Sequence, residues 1–421
     1  MHLDEARTPF KMKVLIVSQY FWPESFRINE VARDLKQSGH EIEILPGKPN
    51  YPEGIFYQGY GGVKPMQERW NDIHIHRLPM VARGENNKFK LVLNYLSFIV
   101  SGLLFGPFLL RKKQYDVIFV YAPSPIFQVI PASFIGWLKK IPVVLWVQDL
   151  WPQSVSATGH IESKLALKML EKAVSFAYKH TDLILAQSEA FIPQIKRLSP
   201  PSTPVKYLPN SVDDSFLSPE AKQKVSIKAL ETGFNVMFAG NIGSAQAIET
   251  IVDAAERLKF HTEIKFVILG RGSKLDWLKS QINSRHLHNI LLAGHYPVEA
   301  MPHLLRLASV LLVSLAKQPI FELTIPSKIQ AYLASGKPVI ACLDGEGARV
   351  IQEAQAGLTV PAENPGLLVA AIMQLYKSQQ NDLEQMGLNG QNYFKMHFQH
   401  HLVMNSLISY LQAAIQQKQG R

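Results

Sequence analysis

The stretch NVMFAGNIG, residues 235–243, is an apolar run that ends in a glycine-containing turn, and it begins a second series of such runs along the chain. Helical stretches separate it from the runs that follow, which are IKFVILGRG (264–272), NILLAG (289–294), SVLLVSLA (309–316), KPVIAC (337–342) and AGLTV (356–360). Short apolar strands that alternate with helices predict a parallel sheet covered on both faces.

The first half of the chain shows the same alternation. Its strand-like runs are KVLIVSQYF (13–21), EIEIL (41–45), IHIHRL (73–78), YDVIFVYA (115–122), PVVLWVQ (142–148), DLILAQ (182–187) and VKYL (205–208). A chain of 421 residues is also too long for one ordinary core. The sequence therefore predicts two doubly wound α/β domains in tandem.

The pattern of strands and a stretch rich in Pro, Ser and Asp between its two halves predict the domain boundaries. We expect an N-terminal domain over residues 12–208, a linker rich in Pro, Ser and Asp over 209–224, and a C-terminal domain over 225–380. Helices over 381–421 are expected to pack back toward the N-terminal domain. Ligands of open parallel sheets bind beyond the carboxyl ends of the strands, so two such domains facing each other predict a central cleft lined by the loops that follow the strands.

The overall composition excludes several classes of protein. Apolar residues make up 47% of the chain and charged residues 19%, which excludes a mainly disordered protein. The net charge of +10 favours anionic partners, but no basic stripe is interleaved with aromatic residues, so nucleic acid is not expected. Cys342 is the single cysteine, which excludes an intramolecular disulfide. The segment MHLDEARTPFKMK lacks the apolar stretch of a signal peptide, so we expect a cytoplasmic protein.

The segment LVLNYLSFIVSGLLFGPFLL, residues 91–110, is uncharged and has basic residues on both sides. Its length is that of a membrane-spanning helix. A single crossing would divide what the strand pattern indicates is one domain, and the basic flanks on both sides do not favour it. We therefore prefer a monotopic or partly buried helix, with a buried core helix and a true span as the alternatives.

The stretch IPSKIQAYLASG, residues 325–336, predicts a helix with a lysine in its first turn. Lys328 adds a full charge to the positive end of the helix dipole, which is unfavourable unless an anion binds there. A phosphate is the obvious anion, and a solvated lysine is the alternative. Because this turn follows the strand SVLLVSL, at the carboxyl edge of the predicted sheet, we assign Ser327 and Lys328 to a phosphate site.

Two glycine-containing turns are predicted at the same edge of the sheet. The first contains Gly240, Asn241 and Gly243, and the second places Arg271 between two glycines. Glycine permits close approach of the backbone to a ligand, and a guanidinium suits a phosphate. Neither turn matches a dinucleotide fingerprint or a Walker loop, so the evidence lies in their joint placement.

Several long motifs carry a resemblance to a known family. They are SQYFWPESFRINEVARDLKQSGHEIEIL, QDLWPQSVSATG, PNSVDDSF, FAGNIGSAQAIETIVDAAERL and IPSKIQAYLASGKPVIA, in that order from Lys13 onward. The chain resembles retaining GT-B glycosyltransferases of family 4, and within them the branch that makes bacterial O-antigen and capsule sugars, including N-acetyl-L-fucosamine transferases. This resemblance implies a GT-B fold of two Rossmann-like domains that face a central cleft.

The resemblance also implies the substrates. The donor would be a UDP-sugar held mainly by the C-terminal domain, with no other cofactor. The residues themselves give no reason to expect a metal, because the fourteen histidines show no ligand spacing. The acceptor would be a saccharide carried on undecaprenyl diphosphate at the cytoplasmic face of the inner membrane, with which the protein associates peripherally. The apolar helix at 91–110 would then bring the enzyme to its lipid-linked acceptor. The oligomeric state, the sugar and the linkage are not implied.

Departures from the family pattern shift the expected roles. Many relatives hold the diphosphate with an arginine and a lysine where this chain has Asn241 and Gln246, so Lys328 inherits that duty, shared with Arg271. The family's paired glutamates would fall at Leu323 and Ala331 and are missing. Glu346 is our candidate for another polar contact to the donor, and an exposed loop acid is the alternative.

In the N-terminal domain, a His-Asp pair of many relatives is replaced by Gln148 and Asp149. Gln148 cannot shuttle a proton, whereas Asp149 could orient an acceptor hydroxyl or support its loop. Glu24 is a second candidate base, with a helix cap as the alternative. We thus name Lys328, Asp149 and Glu24 as catalytic candidates.

Two other functions fit the same frame. A UDP-sugar 2-epimerase has the same fold and a soluble substrate, which the apolar helix disfavours. A non-catalytic partner protein would explain the missing glutamates and the glutamine at position 148. We prefer a retaining transferase in which the departing phosphate takes the proton of the acceptor hydroxyl and the protein stabilises the leaving diphosphate.

Overall fold

The computed structural model describes residues 11–85, 87–157, 163–218 and 225–420. The chain divides into two compact units. The first comprises residues up to 187, 191–208 and those from Met404 on, and the second comprises 188–190 and 209–403. Each unit is built around one sheet.

The first unit contains an eight-stranded sheet in the order β3-β4-β2-β1-β5-β6-β7-β8. Its elements are β1 (Lys13–Val17), α1 (Arg27–Gln37), β2 (Glu41–Leu45), β3 (Met66–Trp70), β4 (Ile73–Arg77), α2 (Lys88–Leu109), β5 (Val117–Ala122), α3 (Val129–Lys139), β6 (Val143–Val147), α4 (Gln153–Ala157), α5 (Lys164–Lys179), β7 (Leu183–Ala186), α6 (Phe191–Leu198) and β8 (Val205–Tyr207). The central strand β1 pairs in parallel on both sides, with Ile16 opposite Ile44 and Phe119.

The second unit contains a six-stranded parallel sheet in the order β11-β10-β9-β12-β13-β14. Its elements are β9 (Phe234–Ala239), α7 (Ile248–Arg257), β10 (Ile264–Leu269), α8 (Leu275–Arg285), β11 (Ile290–Gly294), α9 (Met301–Arg306), β12 (Val310–Ser314), α10 (Pro319–Glu322), α11 (Ser327–Ser335), β13 (Val339–Cys342), α12 (Glu346–Glu353), β14 (Gly357–Val360), α13 (Pro365–Lys377) and α14 (Gln380–His397). The last helix, α15 (His400–Gln419), starts in this unit and from Met404 on belongs to the first. Val236 of the central strand β9 lies opposite Phe266 and Val310.

The predicted strands form because apolar side chains bury both faces of each sheet. All six residues of β9 are buried, and its alternate side chains enter the two cores on the two faces of the sheet. The prediction of two doubly wound α/β domains is confirmed. One strand, β3, is missing from it. This strand runs antiparallel to β4 through a two-residue turn at Asn71 and Asp72, both with positive φ.

The C-terminal helices divide between the two units. Helix α14 packs in the second unit, where Phe394 is fully buried in the core. Helix α15 contacts the first sheet instead, since Tyr410 donates to the Tyr207 carbonyl and Lys418 pairs with Asp182. The expected return of residues 381–421 toward the N-terminal domain therefore applies to α15 and not to α14. In the predicted linker 209–224, Phe216 packs in the second core, and residues 219–224 lie outside the described part of the chain.

Helix α2, which covers most of the predicted apolar segment, lies against α3 through small residues. Gly102 and Gly106 face α3 so closely that a Cβ on Gly102 would lie 2.6 Å from Cβ of Pro131, and one on Gly106 would lie 2.9 Å from Cδ1 of Ile135. The opposite face of α2 is uncovered. Phe89, Val92, Leu96, Val100, Leu104 and Phe108 are each more than half exposed. The alternative of a buried core helix is therefore wrong.

Asn94 fixes α2 to the domain in the middle of its apolar sequence. The side chain is fully buried, accepts a hydrogen bond from Gln19 at 2.7 Å, and donates to the carbonyl of Val81 at 2.7 Å and to Asn50 at 3.3 Å. Buried polar groups cost free energy unless they are paired, so these bonds specify one orientation of the helix.

Replacing Asn94 by leucine should destabilise the N-terminal domain. The change leaves the buried Gln19 amide and the Val81 carbonyl without this partner, at a cost of roughly 2–4 kcal/mol for the groups together. Thermal unfolding followed by circular dichroism measures the loss. Leu104→Asn, at a position 67% exposed on the same helix, is the control and should leave the unfolding temperature nearly unchanged. Equal unfolding temperatures for both variants would contradict the proposed anchoring.

Candidate active site

Lys328 lies in the first turn of α11, at the carboxyl edge of the second sheet. Pro326 precedes the helix in an extended conformation, and Gly336 ends it with φ of 72°. The predicted helix therefore begins at Ser327, and Lys328 is in its first turn. No side chain caps the N-terminus, so its first amides have no acceptor within the helix. Ser327 is exposed beside them.

The ammonium group of Lys328 is buried although its side chain is partly exposed. Nζ lies 3.6 Å from the centre of the Phe238 ring and makes no hydrogen bond within the described residues. Burial lowers the pKa of Lys328 to about 7, because the charged form loses its hydration. The aromatic face offsets part of this cost. A buried ammonium without a hydrogen-bond acceptor is well placed to receive an anion.

Gly240 allows Lys328 to occupy this position. It follows β9 directly with φ of 135°, and a Cβ there would lie 2.5 Å from Cε and 2.9 Å from Nζ of Lys328. Gly270 has φ of 142°, and a Cβ on it would collide with the Gly240 carbonyl oxygen. Both positions therefore require glycine for their backbone conformation and for close approach.

The two glycine-containing turns form one structure. The amide of Ile242 donates to the carbonyl of Arg271 at 2.9 Å, and the amide of Lys274 donates back to the carbonyl of Ile242 at 2.9 Å. Asn241 donates to Gln246 at 3.2 Å within the first turn, next to Gly243. The Arg271 residue is exposed. The structure thus brings the residues predicted to bind the sugar donor together at the edge of the second sheet where Lys328 lies.

Tyr332 is a residue of this site that the sequence did not reveal. Its hydroxyl accepts from the Ala239 amide at 3.0 Å and also lies 3.2 Å from the Ala239 carbonyl. Tyr332 is one turn after Lys328 on α11, and residues four apart share a helix face. The hydroxyl therefore fixes α11 against the end of β9 and sets the height of Lys328 above Phe238.

Glu346 begins α12 but is already paired. Arg349 donates to both carboxylate oxygens, at 3.0 and 2.9 Å, and also bonds Glu353 at 2.7 Å. The Glu346 side chain is only 14% exposed. The alternative of an exposed loop acid is therefore wrong, and a contact of Glu346 with the donor stays a prediction that would compete with this ion pair.

In the first unit, Asp149 lies in the loop after β6. Burial raises the pKa of its carboxyl group, while hydrogen bonds from Ser154 and Trp151 act in the opposite direction. Trp151 Nε1 donates to Oδ2 at 3.3 Å. Oδ2 is thus tied to the loop, and a role of Asp149 toward an acceptor hydroxyl stays a prediction.

Glu24 binds three backbone amides. Oε1 accepts from Asn50 and Tyr51, both at 2.8 Å, and Oε2 accepts from Phe21 at 3.3 Å. Helix α1 begins at Arg27 without a side-chain cap, so the helix-cap alternative is wrong. Burial raises the pKa of Glu24 to about 7 against the lowering effect of these amides. This carboxylate holds the 50–51 loop, and its proposed role as a base stays a prediction.

Solved structures share this architecture. The chain resembles HepE from Anabaena in complex with UDP, with a TM-score of 0.68, 14% identity, and coverage of 96% of this chain and 100% of HepE. It also resembles sucrose-phosphate synthase from Thermosynechococcus elongatus, with a TM-score of 0.71, 15% identity, and the same coverage. At these identities the likeness shows the fold alone.

Two family models match most of the chain. The model described as a glycosyl transferase 4-like domain matches residues 25–211, and the model described as glycosyl transferases group 1 matches residues 233–378. The chain is a glycosyltransferase of the GT-B fold. The first match runs from just before α1 to just after β8, and the second runs from just before β9 to just after α13.

Two relatives of this glycosyltransferase match over most of their length. One is WbjE from Pseudomonas aeruginosa, described as a probable glycosyltransferase, with 21% identity over 86% of this chain and 89% of WbjE. The other is WcaI from Escherichia coli (strain K12), a glycosyl transferase assigned to colanic acid biosynthesis, with 24% identity over 77% of this chain and 82% of WcaI.

Glu24→Ala should loosen the loop that carries Asn50 and Tyr51. Both amides lose their carboxylate acceptor, so their hydrogen exchange should accelerate roughly tenfold or more. Exchange measured by mass spectrometry on peptides covering the loop tests this. Glu30→Ala, an exposed change on α1, should leave the same peptides unaffected. Unchanged exchange in Glu24→Ala would show that the carboxylate does not hold the loop.

Proposed function

We propose that this glycosyltransferase moves a sugar from a UDP-sugar to a saccharide carried on undecaprenyl diphosphate, with retention of anomeric configuration. The sugar class that the sequence motifs support is an N-acetylated amino sugar such as N-acetyl-L-fucosamine. The pathway is surface polysaccharide synthesis of the O-antigen or capsule kind, and the enzyme acts peripherally on the cytoplasmic face of the inner membrane.

The observation that carries the donor part of this proposal is the buried ammonium of Lys328, which has no hydrogen-bond acceptor among the described residues. A diphosphate would pair with this ammonium and accept hydrogen bonds from the first amides of α11. HepE, of the same fold, is found with UDP and with UDP-glucose. The relation to WcaI, assigned to colanic acid biosynthesis, supports a polysaccharide pathway. The exposed apolar face of α2 supports the membrane-bound acceptor.

The chemistry follows from this placement. The acceptor hydroxyl attacks the anomeric carbon from the face that the UDP leaves, the bond from that carbon to the diphosphate breaks, and a phosphate oxygen takes the proton. Lys328, Arg271 and backbone amides near Gly243 stabilise the negative charge that develops on the diphosphate. Asp149 orients the acceptor hydroxyl. Gln148 beside it cannot transfer a proton and so does not act as a base.

Lys328→Ala should lower the transfer rate about 10²–10³-fold, the usual effect of removing one group that stabilises a developing negative charge. The assay incubates a panel of UDP-sugars with a short saccharide on undecaprenyl diphosphate, and NMR of the product gives its anomeric configuration. Lys317→Ala, at an exposed lysine in the preceding loop, is the matched control and should keep full activity. Full activity of Lys328→Ala, or no product from any UDP-sugar, would refute the proposal.

UDP binding should weaken as the pH rises through the pKa of Lys328. In the free protein this pKa is about 7, so Lys328 loses its proton as the pH rises above 7. A bound diphosphate favours the charged form of Lys328. Between pH 7 and pH 9 the dissociation constant should rise on the order of 50-fold. The terminal phosphate of UDP titrates near pH 6, below this window.

Isothermal titration calorimetry at several pH values measures this dependence. Lys328→Arg supplies the control, because a guanidinium stays charged over the whole range. Its affinity for UDP should change little between pH 7 and pH 9. The same pH dependence in wild type and in Lys328→Arg would assign the titration to another group.

A further inference from the structure

The first unit contains an open groove beside α2. One wall is the N-terminal half of α2, with Val92, Leu96 and Ile99, and the other includes Phe127 and Trp151. The rings of the latter two meet edge to face with centroids 5.5 Å apart. The groove has a volume of about 420 Å³, which is the size of a small-ligand site. Its walls are mainly apolar and aromatic.

The groove also has a positive end. Arg83 and Lys88 line it at the start of α2, and Asp149 is the acid among the described lining residues. Arg83 is held in place, because its amide donates to Asn50 at 2.9 Å and its guanidinium lies over the Tyr51 ring at 5.3 Å. An apolar trough with two cations at one end suits a chain that bears an anionic head.

The groove is continuous with the uncovered face of α2. Val92 and Leu96 line it and are nevertheless 53% and 52% exposed. Farther along the same face, Val100 and Leu104 are exposed but do not line the groove. A long apolar chain seated between α2 and Trp151 can therefore continue along the helix without meeting polar residues.

We propose that this groove binds the prenyl diphosphate end of the lipid-linked acceptor. The first isoprene units lie between α2 and Trp151, the diphosphate pairs with Arg83 and Lys88, and the remaining chain follows the exposed face of α2. This arrangement rests on the proposed function and adds its acceptor subsite. It also gives Glu24 a positioning role, since its carboxylate holds the backbone at Asn50 and Tyr51, and these two residues hold Arg83.

The test measures binding of farnesyl diphosphate to the full chain by calorimetry, with saturating UDP present to occupy any other diphosphate site. Leu96→Gln places a polar group in the groove, and Leu104→Gln makes the same change outside it. Arg83→Ala removes a cation at the groove, and Arg111→Ala removes one at the other end of the helix, where Arg111 lies 4.8 Å over the Phe108 ring. Each control matches its partner in residue type. Leu96 and Leu104 lie on α2, and Arg83 and Arg111 lie just outside its two ends.

We expect Leu96→Gln and Arg83→Ala each to weaken farnesyl diphosphate binding about tenfold or more, because one loses apolar contact and the other a charge-assisted bond. Both controls should stay within about twofold of wild type. Farnesol should bind wild type more weakly than farnesyl diphosphate does. The affinity for farnesol should be the same in wild type and in Arg83→Ala, because farnesol has no diphosphate for Arg83 to pair with. Val92→Gln is a second groove variant, and unfolding temperatures confirm that the variants are folded.

Two results would overturn the groove. If Leu96→Gln and Leu104→Gln lose the same affinity for farnesyl diphosphate, the ligand adsorbs along the whole helix. If farnesol and farnesyl diphosphate bind wild type with the same affinity, no cation recognises the diphosphate. The outcome for the proposed function is separate. If farnesyl diphosphate binds with the expected variant pattern but no sugar reaches a prenyl-linked saccharide, the groove stands and the transfer proposal falls.

Discussion

The C-terminal domain is organised around a lysine ammonium held against an aromatic ring. Nζ of Lys328 lies 3.6 Å from the centre of the Phe238 ring, which desolvates the charge without supplying an anion. Gly240 must lack a side chain for this contact to exist, and Tyr332 must bond the end of β9 to keep α11 at the right height. The backbone and two side chains are thus arranged around one charge that has no hydrogen-bond acceptor among the described residues, and its proposed counterion is the phosphate of a donor.

In the N-terminal domain, polar groups fix the position of a helix whose sequence is almost wholly apolar. Apolar contact is non-directional, so it would allow α2 to rotate or slide against α3. The buried Asn94 and the close packing at Gly102 remove that freedom. Glu24 acts on the same region through the 50–51 loop. A carboxylate first considered as a base is therefore seen to hold the backbone at Asn50 and Tyr51, the two residues that contact Arg83.

The sequence predicted the sheets well because buried parallel strands are continuous apolar runs, which polar turns interrupt. It missed β3, whose sequence MQERW is that of an exposed edge strand, although the turn at Asn71 and Asp72 was a usable signal. The position of Lys328 at a helix start was also predictable from local sequence. The partners of Glu24 and Tyr332 were not, because they lie 26 and 93 residues away along the chain and meet only in the folded domain. The pairing of Glu346 with Arg349 was within reach, since residues three apart on a helix are neighbours.

The last helix has a consequence for how the protein is made. Lys418 bonds Asp182, which is 236 residues earlier, so the ribosome must translate the whole second domain before the first can acquire this contact. At about 5–20 residues per second the delay is roughly 10–50 s. During that interval the nascent N-terminal domain lacks α15 while α2 already exposes its apolar face. The emerging chain therefore has time to meet a lipid surface or a chaperone before its own C-terminus completes the domain.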